Sequence, residues 1–152
     1  FDVVTSFEVI EHINNPFEEM NHISTVLRQG GLFYCTTPNF NSLSRHQLRG
    51  QWNVIVYPEH LSYYTPKSMH FLMQQHGFTK KQVLTTGISI TRFRKSKDHT
   101  ISESHVTGQS TDEQLRVQME SKWYLGLAKN IINGVLTFLG MGDSLKVMYV
   151  KS

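Results

Sequence analysis

A strand, a polar turn, a helix, a glycine pair and a second strand fill the first forty residues. No other part of the chain restricts the fold as strongly. Phe1-Asp2-Val3-Val4-Thr5-Ser6 is a short apolar run that suits a buried strand. It passes straight into Phe7-Glu8-Val9-Ile10-Glu11-His12, where carboxylates and an imidazole gather at the strand's carboxyl end. Asn14-Asn15-Pro16 then starts a helix, with an Asn to cap the free N–H groups and Pro at a position that wastes no donor. Gly30-Gly31 is expected to end that helix, because glycine enters a left-handed cap without strain. A second strand, Leu32–Thr37, follows and closes on Pro38-Asn39. Two strands joined through a helix are expected to lie parallel, and open α/β sheets hold ligands beyond the carboxyl ends of such strands.

The helical segment carries Phe17, Met20, Ile23, Val26 and Leu27 at spacings that give one apolar face. Residues 39–57 lack a regular pattern, apart from a short helix expected over 42–50. Thr65-Pro66 starts another helix, with apolar positions Met69, Phe71, Leu72 and Met73, and a strand is expected over about Phe78–Thr86. Residues 92–114 are polar and read as a flexible excursion. A long helix is expected from about Asp112 to Leu139, with the stripe Leu115, Met119, Trp123, Leu127, Ile131, Val135 and Phe138. Ser144–Val150 alternates cleanly and makes the last strand.

At 152 residues the chain is long enough for one domain with its own core, and 39% apolar with 18% charged residues is the balance of a soluble globular protein. A net charge of +3, with basic residues scattered, argues against nucleic acid as a partner. The lone Cys35 excludes an internal disulfide and is expected to be a buried, inert thiol in a reducing cytoplasm. The chain opens on Phe rather than Met, inside a strand, as expected of a partial sequence.

Phe-Asp-Val-Val, Glu-x-x-Glu-His, Gly-Gly-Leu before a strand and Thr-Pro-Asn after it together resemble the second half of class I S-adenosylmethionine-dependent methyltransferases. The branch most resembled includes the ubiquinone-biosynthesis O-methyltransferases. The resemblance implies the C-terminal half of a Rossmann-like seven-stranded α/β sheet. Residues 1–91 and 143–152 would form the sheet core, and residues 92–142 a flexible excursion plus a long amphipathic helix. It further implies the strand order Phe1, Leu32, Leu145, Phe78–Thr86, with the Leu145 strand antiparallel between its neighbours. The glycine-rich cofactor loop of the family has no counterpart here, so this chain alone is expected to bind the cofactor weakly or not at all.

By position, the resemblance puts Ser6, Phe7 and Glu8 against S-adenosylmethionine, although Phe7 serves equally as a core or loop aromatic. Glu8, Glu11 and His12 would share one face if they formed a helical turn, and such a set suits a hard or borderline divalent cation. Some relatives use this motif, completed by a downstream histidine, to hold magnesium; His60 is the matching residue. His12 could instead act as a general base with His60 near the acceptor, or pair structurally with Glu11. Trp52, Tyr57, Tyr63 and Tyr64 surround His60 in sequence and either line a substrate pocket or pin the loop. The remaining histidines are expected at the surface.

Two functions follow. The first is methyl transfer from S-adenosylmethionine to a hydroxyl of a small-molecule or glycan-like acceptor. The alternative is a noncatalytic α/β interaction module, or an inactive half-fold, that associates through the exposed strand 1–6. The long helix 112–139 packs on the core as a lid or meets a lipid or partner surface.

Overall fold

The computed structural model describes residues 1–87 and 123–152, with side chains in the last helix described from residue 130 onward. Four strands form one sheet: β1 (Val3–Phe7), β2 (Leu32–Pro38), β3 (Phe78–Thr86) and β4 (Ser144–Lys151). Their order is β1-β2-β4-β3. β1 and β2 are parallel, and β4 runs antiparallel to both β2 and β3. This is the topology expected of the half-fold. The carboxyl ends of β1, β2 and β3 therefore share one edge of the sheet.

The helices are α1 (Pro16–Val26), α2 (Leu43–Leu48), α3 (Pro66–Gln75) and α4 (Trp123–Leu139). Asn15 caps α1 by accepting from the Glu18 N–H, and Thr65 with Ser68 forms a reciprocal capping box on α3. The paired residues Phe33–Tyr149, Cys35–Val147 and Thr37–Leu145 share one sheet face and are all buried. Met20, Ile23 and Leu27 of the α1 segment and Met69, Leu72 and Met73 of α3 cover that face. Each such side chain contributes roughly 1.5–3 kcal/mol through burial.

Several expectations fail for local physical reasons. Gly30 and Gly31 do not cap α1, which stops at Val26 because Leu27 turns extended (ψ 137°) to bury its side chain. Gly30 (φ +73°) instead makes the tight turn into β2, where the Gly31 N–H donates to the Arg28 carbonyl at 2.9 Å. Phe17, Val26 and Phe71 point outward from their helices. β1 is not a buried strand: Val3 and Phe7 are about half exposed, and among the described residues β1 pairs only with β2. His70 is half buried, with Nδ1 3.0 Å from the Tyr149 hydroxyl, rather than free at the surface.

α4 also departs from its pattern. The members of its apolar stripe with described side chains, Ile131, Val135 and Phe138, are exposed. The helix instead meets β3 through buried Leu136 and through polar bonds. Thr85 Oγ1 donates to the Leu136 carbonyl (2.7 Å), Thr137 Oγ1 donates to the Thr85 carbonyl (2.9 Å), and the Gly87 N–H donates to Asn133 Oδ1 (3.1 Å). Hydrogen-bonding demand at the end of β3 sets the helix's rotation there. The expected excursion and the start of the long helix, up to residue 122, lie outside the described residues.

Asn39, fully buried, fastens the α4–β4 turn to the end of β2. Its Nδ2 donates to the carbonyls of Gly140 (3.0 Å) and Gly142 (2.7 Å), and its Oδ1 accepts from the Asn41 N–H (3.0 Å). Gly142 is required in that turn, since a Cβ there would lie 2.4 Å from the backbone of Thr85 and Thr86.

Candidate active site

β1 carries Ser6 and Phe7 at its carboxyl end, and Glu8 follows directly. Phe7 pairs with Thr36 and is exposed, its ring 5.7 Å from that of Tyr34, so it is not a core aromatic. Glu8 has φ +51°, an uncommon conformation for a residue with a side chain. That conformation swings the chain out of the strand while its N–H still donates to the Thr36 carbonyl at 2.9 Å. The expected helical turn from Glu8 to His12 is therefore not formed. Only Ile10–His12 makes a 3-10 turn, and Ile10 anchors it in the core.

Glu11, His12 and His60 come together all the same. One ligand atom from each lies within 4.8 Å of the others. Glu8 is not a member of this cluster. The imidazole rings of His12 and His60 stand edge to face with centroids 4.7 Å apart. What joins them is the loop that carries His60. The Leu61 and Ser62 N–H groups both donate to the Glu11 carbonyl, at 2.8 and 3.0 Å. Helix α3 and a bridge between Asn39 and Tyr64 hold the far end of this loop, and buried Trp52 holds the near end.

Both imidazoles are oriented by main chain. His12 Nδ1 lies 2.7 Å from the Glu59 carbonyl, and His60 Nδ1 lies 2.7 Å from the Val54 carbonyl. A carbonyl oxygen can only accept, so each Nδ1 carries a proton, and each neutral ring keeps its lone pair on Nε2. Glu11 is 2% exposed, and its Oε2 accepts from Thr37 Oγ1 at 2.8 Å. Three groups that can each offer a lone pair thus lie close together, a set able to hold a cation or to accept a proton.

The aromatic residues divide. Trp52 is 1% exposed and packs with Leu48, Val54 and Phe40 in a small second core. Tyr64 belongs to the main core, and burial raises the pKa of its phenol. Tyr63 is half buried, with its ring 6.4 Å from that of His60, and Tyr57 is 84% exposed. Burial, with Glu11 next in effect, pushes the Cys35 thiol up to about 12, so it is inert at neutral pH. Thr37 and Asn39 were not singled out by residue type. Their signal is the Thr-Pro-Asn stretch, which marks the end of β2.

A family model described as a methyltransferase domain matches residues 1–83, more than half of the chain. The chain belongs to the S-adenosylmethionine-dependent methyltransferase family. It is 34% identical over 70 residues to the ubiquinone biosynthesis O-methyltransferase of Roseobacter denitrificans, a match that covers 46% of this chain and 26% of that protein. It is 41% identical over 44 residues to the mitochondrial ubiquinone biosynthesis O-methyltransferase of Dictyostelium discoideum, covering 29% of this chain and 14% of that one. A Thermotoga maritima methyltransferase, described as a possible histamine N-methyltransferase, superposes with a TM-score of 0.59 at 12% identity. That superposition covers all of this chain and 56% of the other, and it shows the shared fold. The matches thus span about a quarter or less of these curated relatives. Among the described residues no helix is long and apolar enough to cross a membrane.

Proposed function

We propose that the protein containing this chain transfers a methyl group from S-adenosylmethionine to a hydroxyl of a small-molecule or glycan-like acceptor. The observation that carries this reading is the approach of one ligand atom from each of Glu11, His12 and His60 to within 4.8 Å of the others, just beyond β1. That edge is where open α/β sheets receive their ligands. Ser6, Phe7 and Glu8 are the residues of this chain proposed to meet the cofactor, and Tyr57 and Tyr63 the acceptor; the buried Trp52 and Tyr64 pin the loop instead. The oxygen-directed reading is also in keeping with the names of the two curated relatives.

In the transfer the acceptor oxygen forms a bond to the methyl carbon while that carbon's bond to the sulfonium sulfur breaks. S-adenosylhomocysteine leaves. The hydroxyl proton passes to Nε2 of His12 or His60, whose protonated ring is then stabilised by the Glu11 carboxylate and by the carbonyl on Nδ1. The chain's main contribution is to hold the oxygen in line and to accept its proton.

The same three groups fit a divalent cation, which when bound would polarise the acceptor hydroxyl. Two imidazoles with one carboxylate favour a cation that accepts nitrogen ligands more readily than magnesium, which prefers an all-oxygen shell; manganese serves as a paramagnetic probe of the site. Glu11, His12 and His60 would hold it.

In the full-length protein, assayed with phenolic and sugar acceptors, His12→Ala is expected to lower turnover by about 100-fold or more. Affinity for S-adenosylmethionine should be nearly unchanged. An unaltered rate removes His12 from the mechanism.

A further inference from the structure

We infer that Thr37 is a positioning residue for this site, fixing how the Glu11 carboxylate is turned toward the two histidines. The inference rests on the cation reading above. Glu11 is 2% exposed, and Thr37, next to last in β2, is 1% exposed. The Thr37 hydroxyl donates to Glu11 Oε2 at 2.8 Å, across 26 residues of sequence. A carboxylate removed from water needs its lone pairs engaged. With one lone pair of Oε2 held by Thr37, the carboxylate is fixed in orientation and its remaining lone pairs are left to act with the imidazoles.

The backbone supplies the rest of this outer layer. The Val54 and Glu59 carbonyls orient His60 and His12, and the Leu61 and Ser62 N–H groups hold the Glu11 main chain. Among the described residues Thr37 is the side-chain contributor to that layer, so it can be altered alone. It also lies on a different element from the groups it orders: the 3-10 turn carries Glu11 and His12, the long loop carries His60, and Thr37 refers both to the sheet. Partners that orient metal ligands typically matter about 10- to 100-fold in affinity.

The test is manganese uptake by the full-length protein, read from loss of the free-ion electron paramagnetic resonance signal. Thr37→Val keeps the shape and deletes the donor, and Thr37→Ser keeps the donor. The expected result is one ion in the wild type, about 10-fold or greater weakening in Thr37→Val, and recovery to within about threefold in Thr37→Ser. S-adenosylhomocysteine affinity should stay the same in all three, which separates positioning from a damaged fold. If Thr37→Val fails to fold, Thr37→Ala takes its place. A wild type that binds manganese, with Thr37→Val binding equally well or Thr37→Ser no better than Thr37→Val, overturns the inference alone. A wild type that takes up no manganese overturns the cation reading and this inference together.

Discussion

Replacing Asn39 by Ala tests how the functional edge is held together. The side chain is fully buried and makes bonds to Gly140, Gly142 and Asn41. Gly140 keeps a second donor, Asn41 Nδ2 at 3.1 Å, so its carbonyl stays satisfied after the substitution. The Gly142 carbonyl and the Asn41 N–H lose the bonds Asn39 gave them. At about 1–3 kcal/mol for each buried group left unmade, the cost is roughly 2–6 kcal/mol. For a domain of this size that lowers the melting temperature by about 4–24 °C. Urea unfolding of the full-length protein measures the loss. Hydrogen exchange should show faster opening at the residue-39 amide, whose N–H donates to the Asp143 carbonyl at 2.9 Å. A loss under about 1 kcal/mol would show that the turn is held by something other than Asn39.

Two further outcomes are expected. Burial holds the Cys35 thiol and the Tyr149 phenol up to about 12, against ordinary values of 9.0 and 10.0. The folded state therefore keeps protons that the unfolded chain releases. Stability is whole below pH 9 and falls as pH rises towards 12, steeply once Tyr149 joins. Urea midpoints measured between pH 8 and 11 check this, and a midpoint that rises with pH contradicts it. Separately, β1 leaves its outer edge unpaired among the described residues, with Val3 and Phe7 exposed beside it. If residues 1–152 are expressed alone they should self-associate through that edge, and Thr5→Pro should weaken the association. A monodisperse monomer in light scattering, with slow amide exchange at Val3 and Val4, would refute it.

The sheet was legible because its pattern is redundant. β4 alternates Leu145, Val147 and Tyr149 inward, and a helix between β1 and β2 leaves little choice but a parallel pair. Placing β4 between β2 and β3 came from the resemblance, since no local pattern states it. The exposure of β1 was not legible, because an apolar run looks the same whether or not a neighbour covers it. Leu27 ended α1 early because burial outweighed the glycine signal three residues on. At the site, the nearness of His60 to His12 was legible only by resemblance, 48 positions being far beyond any spacing rule. What orients the site could not be read at all. The partners of both histidines are backbone carbonyls, which no residue type announces. Thr37 acts through one side-chain bond and Asn39 through three, none of which a strand-ending Thr-Pro-Asn triplet reveals.

The claim beneath all of this is that the edge formed by β1 and β2 serves a methyl donor. Calorimetric titration of the full-length protein with S-adenosylmethionine addresses it most directly. The account predicts saturable binding at one site per chain, weakened by Glu8→Ala. Absence of any binding heat across several temperatures, with the protein folded, would contradict it.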